Sequence, residues 1–169
     1  MLFEPNPIML PLAALIPVIL AFVWYHPKVL GEALAKETKT EVPTFGIGQA
    51  LISYVLAFLV AFGLLSYVNH QMSVMQLFLS REGFGEEGTE ATLAFEQVAR
   101  LVGDMHLSFG HGAIHGMLGA VVFLLPVIVA IAFRERQSFK YIMIHFGYWL
   151  LSWVLMAGVL GEWGLTVNL

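Results

Sequence analysis

The chain has 169 residues, of which 59% are hydrophobic and 12% charged, and its mean hydropathy is +0.80. A soluble domain carries about 25% charged and about 45–50% apolar residues, and a fold of this size must leave many residues facing solvent. An ordinary soluble domain is therefore excluded. So is disorder, which needs low hydrophobicity and high charge. The net charge of −4 argues against nucleic acid, which requires a basic stripe, and the absence of cysteine removes disulfides, thiolate metal sites and cysteine nucleophiles.

Four runs are long enough to cross a bilayer, which takes about 20 mostly apolar residues. They cover about Ile8 to Tyr25, Ile47 to Val68, His111 to Phe133 and Phe139 to Leu160. Pro11 and Pro17 lie in the first run and Pro126 in the third. The runs are continuously apolar rather than alternating, which excludes a β-barrel. The start, MLFEPNP, has no basic residue ahead of its apolar run, so the first segment is read as retained rather than cleaved.

Loop one, His26 to Gly46, mixes lysines with glutamates, and Pro27 to Ala35 predicts a short interfacial helix. Loop two, 69–110, contains the acidic, Gly-rich REGFGEEGTE, expected to be mobile around Gly83, Gly85 and Gly88. Ala91, Phe95, Val98, Leu101, Val102 and Met105 then recur at helical spacing, with Thr89 as N-cap. This predicts an amphipathic helix on the membrane surface or capping the bundle. Loop three is a tight basic turn, RERQS.

The basic residues give an orientation. Lys28, Lys36 and Lys39 lie in loop one, Arg134, Arg136 and Lys140 at loop three, and only Arg81 and Arg100 in loop two. The positive-inside rule puts loops one and three in the cytoplasm, and both termini and loop two outside, as for a multi-pass protein of the inner membrane. Trp24, Tyr25 and Trp163 are placed where interfacial aromatics belong.

Two segments, FVWYHPKVLGEAL and FKYIMIHFGYWLLSWVLMAGVLGEW, together with FGHGAIHGMLGAVVFLLPVIVAIAFRERQSFKY between them, resemble the membrane family catalogued as domain of unknown function 1761. The likeness runs from about Pro7 to Trp163. Its most specific pieces are Trp24-Tyr25-x-Pro27 with Gly31, and Gly147-Tyr148-Trp149. HGAIHG resembles a feature of one branch. The resemblance implies a four-helix membrane protein and carries no activity or catalytic residue with it.

Among groups that could do chemistry, Asp104-x-His106 followed by His111-Gly-Ala-Ile-His115 is the sharpest. Residues four apart lie above one another on a helix face, the spacing of two imidazoles on one metal. Asp104 or His106 could add a ligand, and Glu162 and Glu4 lie at the same membrane level. Such a set suits zinc or a similar divalent ion. The simpler reading has His111 and His115 hydrogen-bonded to loop two or water. The central Glu of a metalloprotease motif is absent, and no facing pair for haem is evident. His145 lies inside the fourth span, either as a functional group or as a neutral ring bonded to Ser53 or Tyr54 of the second span. His26 and His70 read as solvated polar ends. Gly112, Gly116 and Gly119 mark a packing face on the third span.

The expectation is thus an all-α polytopic membrane protein, one domain over 1–169, with four spans and an external amphipathic helix. Its partners would be the bilayer and other membrane proteins or copies of itself. The leading function is a non-enzymatic accessory or scaffold subunit. The alternatives are a small-solute or ion transporter acting as an oligomer, with His145 responding to protons, and a metal-dependent enzyme using His111 and His115.

Overall fold

Long unbroken apolar runs leave the backbone only one way to satisfy its polar groups within lipid, the helix. The computed structural model describes residues 3–42 and 46–168, so Pro43, Thr44 and Phe45 of loop one lie outside the described residues. Within them the apolar runs are α1 (Met9–Trp24), α3 (Ile47–Val68), α6 with α7 (Phe109–Gly119 and Leu125–Arg134) and α8 (Phe139–Trp163). Shorter helices are α2 (Glu32–Thr38), α4 (His70–Phe78) and α5 (Glu90–Val102).

Three runs are long and apolar enough to cross a membrane: Ile47–Val68, Phe109–Arg134 and Phe139–Trp163. The first segment differs from expectation. Its 16 residues in α1 extend only about 24 Å at about 1.5 Å per residue, short of a hydrocarbon core of about 30 Å. It reaches span length only together with Pro27–Thr38, from which it is bent by 61°. The bend follows from Pro27, whose predecessor is disfavoured in helical conformation. His26 is extended there and its Nδ1 accepts from the Lys28 N–H. A wide turn, Pro27–Gly31, leads into α2. Gly31 is required at its end, because a Cβ would collide with the Tyr25 carbonyl oxygen.

Pro126 shapes the third run. Proline removes an N–H and its ring clashes with the carbonyl four residues earlier. The helix responds by widening into a π-turn at Ala120–Leu124, and the Leu125 N–H reaches back to the Ala120 carbonyl.

α8 is the central helix. It buries Ile144, Tyr148, Ser152, Met156, Ala157, Leu160 and Gly161 among others, and packs against α6, α1 and α3. Its contact with α6 is a seam of small residues. A Cβ on Gly112 would overlap the Ala157 carbonyl oxygen, and one on Gly116 would overlap the Trp153 carbonyl oxygen and lie 2.6 Å from the Ala157 Cβ. From the other side, a Cβ on Gly161 would lie 2.8 Å from the Gly112 Cα. Gly119 meets the Trp153 ring instead, at 2.8 Å.

The two ends of the bundle are tied differently. At one end, strand β1 (Phe3–Pro5) pairs antiparallel with β2 (Leu165–Val167). Three-residue strands leave no periodicity to read, and the sequence did not foretell them. Phe3, fully buried, meets Phe95 of α5 edge-on with centroids 6.0 Å apart. The termini and loop two therefore share this end. At the other end, Lys140 Nζ lies 3.8 Å from Glu37 Oε2, joining α2 to the start of α8.

Loop two is more ordered than expected. Gly83, Gly85 and Gly88 take positive φ of 74°, 93° and 76°, a region cheap only for glycine. The turn they form closes on α5: Thr89 Oγ1 donates to the Gly83 carbonyl at 2.7 Å, and the Gly85 N–H donates to Thr92 Oγ1 at 3.0 Å. Phe84 packs on Phe78 and Phe95. Thr89 caps α5 as expected. The helix buries Phe95 and Ala99 but leaves Leu93 and Leu101 exposed, and it ends at Gly103 before Met105.

Gly112→Ala should therefore force α6 from α8 and lower the thermal stability of the detergent-solubilised protein, by about 1–3 kcal/mol as in other overpacked cores. Gly63→Ala, where nothing lies within 4 Å of the added Cβ, should be neutral or stabilise by about 0.5–1 kcal/mol. Equal melting curves for the two variants would refute the seam.

Candidate metal centre

At the end of the bundle that holds the termini, three imidazoles converge. His70 Nε2 lies 3.0 Å from His111 Nε2, which lies 3.0 Å from His115 Nε2. One ligand atom from each of the three lies within 4.8 Å of the others. All three side chains are half-buried.

The local sequence fixes each ring. His111 and His115 sit one turn apart on α6, whose register against α8 is set by the glycine seam. Ser108 caps this helix, its Oγ accepting from the His111 N–H at 3.2 Å. His70 opens α4 after a break at Asn69, which is extended with φ −105° and ψ 109°. The residues on either side of His70 are buried amides. Asn69 Nδ2 donates to the carbonyls of Leu65 and Leu160 at 2.9 and 3.2 Å. Gln71 Nε2 donates to those of Gly103 and Met105, each at 3.0 Å. The junction is thus pinned to α8 on one side and to the 103–107 turn on the other.

His106 joins as a neighbour. Its ring stacks on His111 with centroids 4.6 Å apart and planes 16° apart. Its φ of 65° is a left-handed conformation that non-glycine residues adopt at a cost. Tyr67 closes the far side, its ring edge-on to His115 at 5.5 Å.

The arrangement departs from the expected ligand set at His70, His106, Asp104 and Glu162; His106 stacks on His111 but stands outside the three-residue group. His70, read as a solvated end, is a member of the group. Asp104 is exposed and stands outside the three-residue group; its backbone carbonyl accepts from Leu107 N–H. Glu162 does lie at this level, but its Oε2 accepts from the Phe109 N–H at 3.0 Å, where a carboxylate complements the N-terminus of α6. Glu4 lies in β1, paired with Thr166. The rings of His111 and His115 meet each other, and His111 meets His70 at the start of loop two.

The chemistry of this cluster is unusual for hydrogen bonds alone. A ring nitrogen offers either one lone pair or one proton in the ring plane. His111 Nε2 has two imidazole nitrogens at 3.0 Å, and no neutral tautomer can serve both. Three lone pairs turned inward are served together by one cation. Zinc–nitrogen bonds of about 2.0–2.1 Å put two tetrahedral ligands about 3.4 Å apart, so the two 3.0 Å separations would each open by a few tenths of an ångström, while the third pair lies within 4.8 Å.

His145 lies at the opposite end of the bundle, where its Nδ1 is 3.1 Å from the Tyr25 hydroxyl. The expected partners were Ser53 and Tyr54; Tyr54 instead donates to the Pro11 carbonyl at 3.4 Å. Tyr25 is brought there because Trp24 beside it is not a plain interfacial anchor. The Trp24 indole donates to the Ile144 carbonyl at 3.0 Å and its ring lies against Gly147.

Removing the α6 cap should loosen the histidines without touching them. Ser108→Ala is expected to cost about 1 kcal/mol of stability and to speed amide exchange at His111. Unchanged exchange there would show that Glu162 alone holds the helix start.

No curated protein and no solved structure matches the chain. The family model described as protein of unknown function (DUF1761) matches residues 8–161, nearly the whole chain and all of the helices described above except the last two residues of α8, and the chain belongs to that family.

Proposed function

We propose that this is a small integral membrane protein that binds one divalent first-row transition-metal ion, zinc above all, through His70, His111 and His115. The observation that carries the reading is the double approach of imidazole nitrogens to His111 Nε2 at 3.0 Å, which protons cannot satisfy and a cation can. Imidazole ligands suit zinc, copper, iron and nickel. The ion serves an accessory membrane subunit rather than a hydrolytic centre, because the group contains no carboxylate to act as a base. Transport by an oligomer finds less support: His145 pairs with Tyr25 rather than facing a polar path.

The test is elemental analysis of protein purified without chelator and without a histidine tag, followed by zinc titration. About one metal per chain is expected. His70→Ala, His111→Ala and His115→Ala should each weaken binding at least about tenfold, while Asp104→Ala, Glu162→Ala and His145→Ala should not. Protons compete for the same lone pairs, so affinity should fall as the pH is lowered. Metal well below one per chain, with no stabilisation on adding zinc, would overturn the reading.

The site would face the compartment outside the cytoplasm, since six of the eight Lys and Arg residues lie in loops one and three. The cysteine-free chain makes this easy to check. In intact cells of an inner-membrane host, Glu87→Cys should react with a membrane-impermeant maleimide, and Gln137→Cys only after permeabilisation. The reverse pattern would invert the topology.

A further inference from the structure

A second site lies at the other end of the bundle, and it does not depend on the metal. Between α1, α2, α3 and α8 there is a cavity of about 380 Å³. Its walls include Tyr25, Ser53, Leu56, His145, Tyr148 and Trp149. Mostly apolar pockets of this size with a few convergent polar groups are the usual form of a small-molecule site.

The lining selects a class of ligand in three steps. None of the described residues around the cavity is Asp, Glu, Lys or Arg, so a charged occupant would lose its hydration without recompense. The occupant is neutral. Leu56 of the lining is 56% exposed on α3, a helix long and apolar enough to cross a membrane, so an occupant that enters past it comes from among the acyl chains. Three aromatic side chains, Tyr25, Tyr148 and Trp149, form one wall, with the tyrosine rings 5.2 Å apart. Such a wall suits a flat ring, which packs offset or edge-on against it.

The polar end is more specific. Tyr25 Oη and His145 Nδ1 share one hydrogen bond of 3.1 Å in which either atom can hold the proton. If the hydroxyl donates, His145 keeps an N–H on Nε2 as a free donor. If Nδ1–H donates, the Tyr25 hydroxyl is the free donor and Nε2 a free acceptor. The pair can thus meet a carbonyl or a hydroxyl by a change of imidazole tautomer, the ring proton leaving Nε2 and one being taken up at Nδ1, with a rotation of the Tyr25 hydroxyl. His145 and Trp149 also border a smaller cavity of about 170 Å³ on the α7 side, lined by Ile128, Ile131 and Tyr141, so the imidazole has open space on both flanks.

A ring that carries carbonyls in one form and hydroxyls in the other fits all of these features. We propose that this cavity is a binding site for the head group of a membrane-soluble quinone or quinol, with the Tyr25–His145 pair bonded to a ring oxygen and the tail leaving past Leu56 into the lipid.

The probe is a benzoquinone carrying a decyl tail, with decylbenzene as the control that has ring and tail but no oxygen. Binding of the quinone to the detergent-solubilised full chain is read by quenching of tryptophan fluorescence, with Trp149 in the wall, and binding of decylbenzene by its displacement of the quinone. The quinone should bind at least about tenfold more tightly than decylbenzene, and Tyr25→Phe should remove about that factor while leaving decylbenzene unchanged. Ser53→Leu, which fills the cavity from α3 without touching the pair, should weaken both probes. Should Tyr25→Phe fail to fold, His145→Gln and Ser53→Leu give the same reading. Equal affinity for the two probes, or quinone affinity unaffected by Tyr25→Phe, His145→Gln and Ser53→Leu, would overturn the proposal. Zinc binding at the three histidines is expected to be the same in all of these variants, so failure here and failure of the metal reading are separate outcomes.

Discussion

Two backbones, those of α6 and α8, approach each other at Gly112, Gly116 and Gly161 too closely for any side chain to stand between them. In lipid there is no hydrophobic drive to push helices together, because the surrounding chains are as apolar as the side chains. What remains is dispersion between well-fitted surfaces, which falls away over fractions of an ångström. Replacing a glycine hydrogen by a methyl here would put a carbon on a carbonyl oxygen. The seam therefore fixes not only the distance but the rotation of α6. That rotation is what turns His111 and His115 towards the start of α4 rather than towards lipid.

Around this seam the remaining contacts act as ties at the two ends. The β1–β2 pair, Phe3 against Phe95, and Asn69 bonded across to Leu160 hold the end that carries the histidine cluster. The Trp24 indole on the Ile144 carbonyl, and the Tyr148 hydroxyl on the Pro17 carbonyl at 2.8 Å, hold the other. Both of the latter donors reach backbone oxygens, which in lipid have no water to fall back on. The two segments that carry the family resemblance, Trp24-Tyr25-x-Pro27 with Gly31 and Gly147-Tyr148-Trp149, meet at this second end and form one face of its cavity.

Which parts were legible follows from which signals are local. Run length alone located α3, and periodicity with a Thr cap located α5, because both signals sit inside the element they describe. The glycines of α6 were readable for the same reason. The histidine cluster was half-readable: His111 and His115 are four apart, but His70 stands at the start of loop two and His111 just past its end. A signal for it did exist. His70 ends the second run and His111 begins the third, so antiparallel spans place them at one membrane level, the argument that brought Glu162 into consideration. Tyr25 and His145 are related by the same logic at the opposite level. The strands and the Gly-rich turn were beyond reach, since a three-residue strand has no period and a turn closed by Thr89 and Thr92 on Gly83 looks in sequence like any flexible acidic loop.

Pre-organisation distinguishes the histidine cluster from four histidines that merely share a surface. Ordering a flexible side chain on a ligand costs conformational entropy that must be recovered from the bonds made. Here much of that ordering is already in place in the protein's own fold: α6 is held by the seam and capped by Ser108 and Glu162, and His70 sits between two buried amides anchored on opposite sides. His106 takes a left-handed backbone and stacks flat on His111. A strained residue persists only where its surroundings over-determine it, and such positions cluster at functional sites. The same restraint that limits the entropy lost on taking up an ion also prevents the rings from turning apart to find separate partners. The convergence of the three Nε2 atoms is therefore a property of the scaffold.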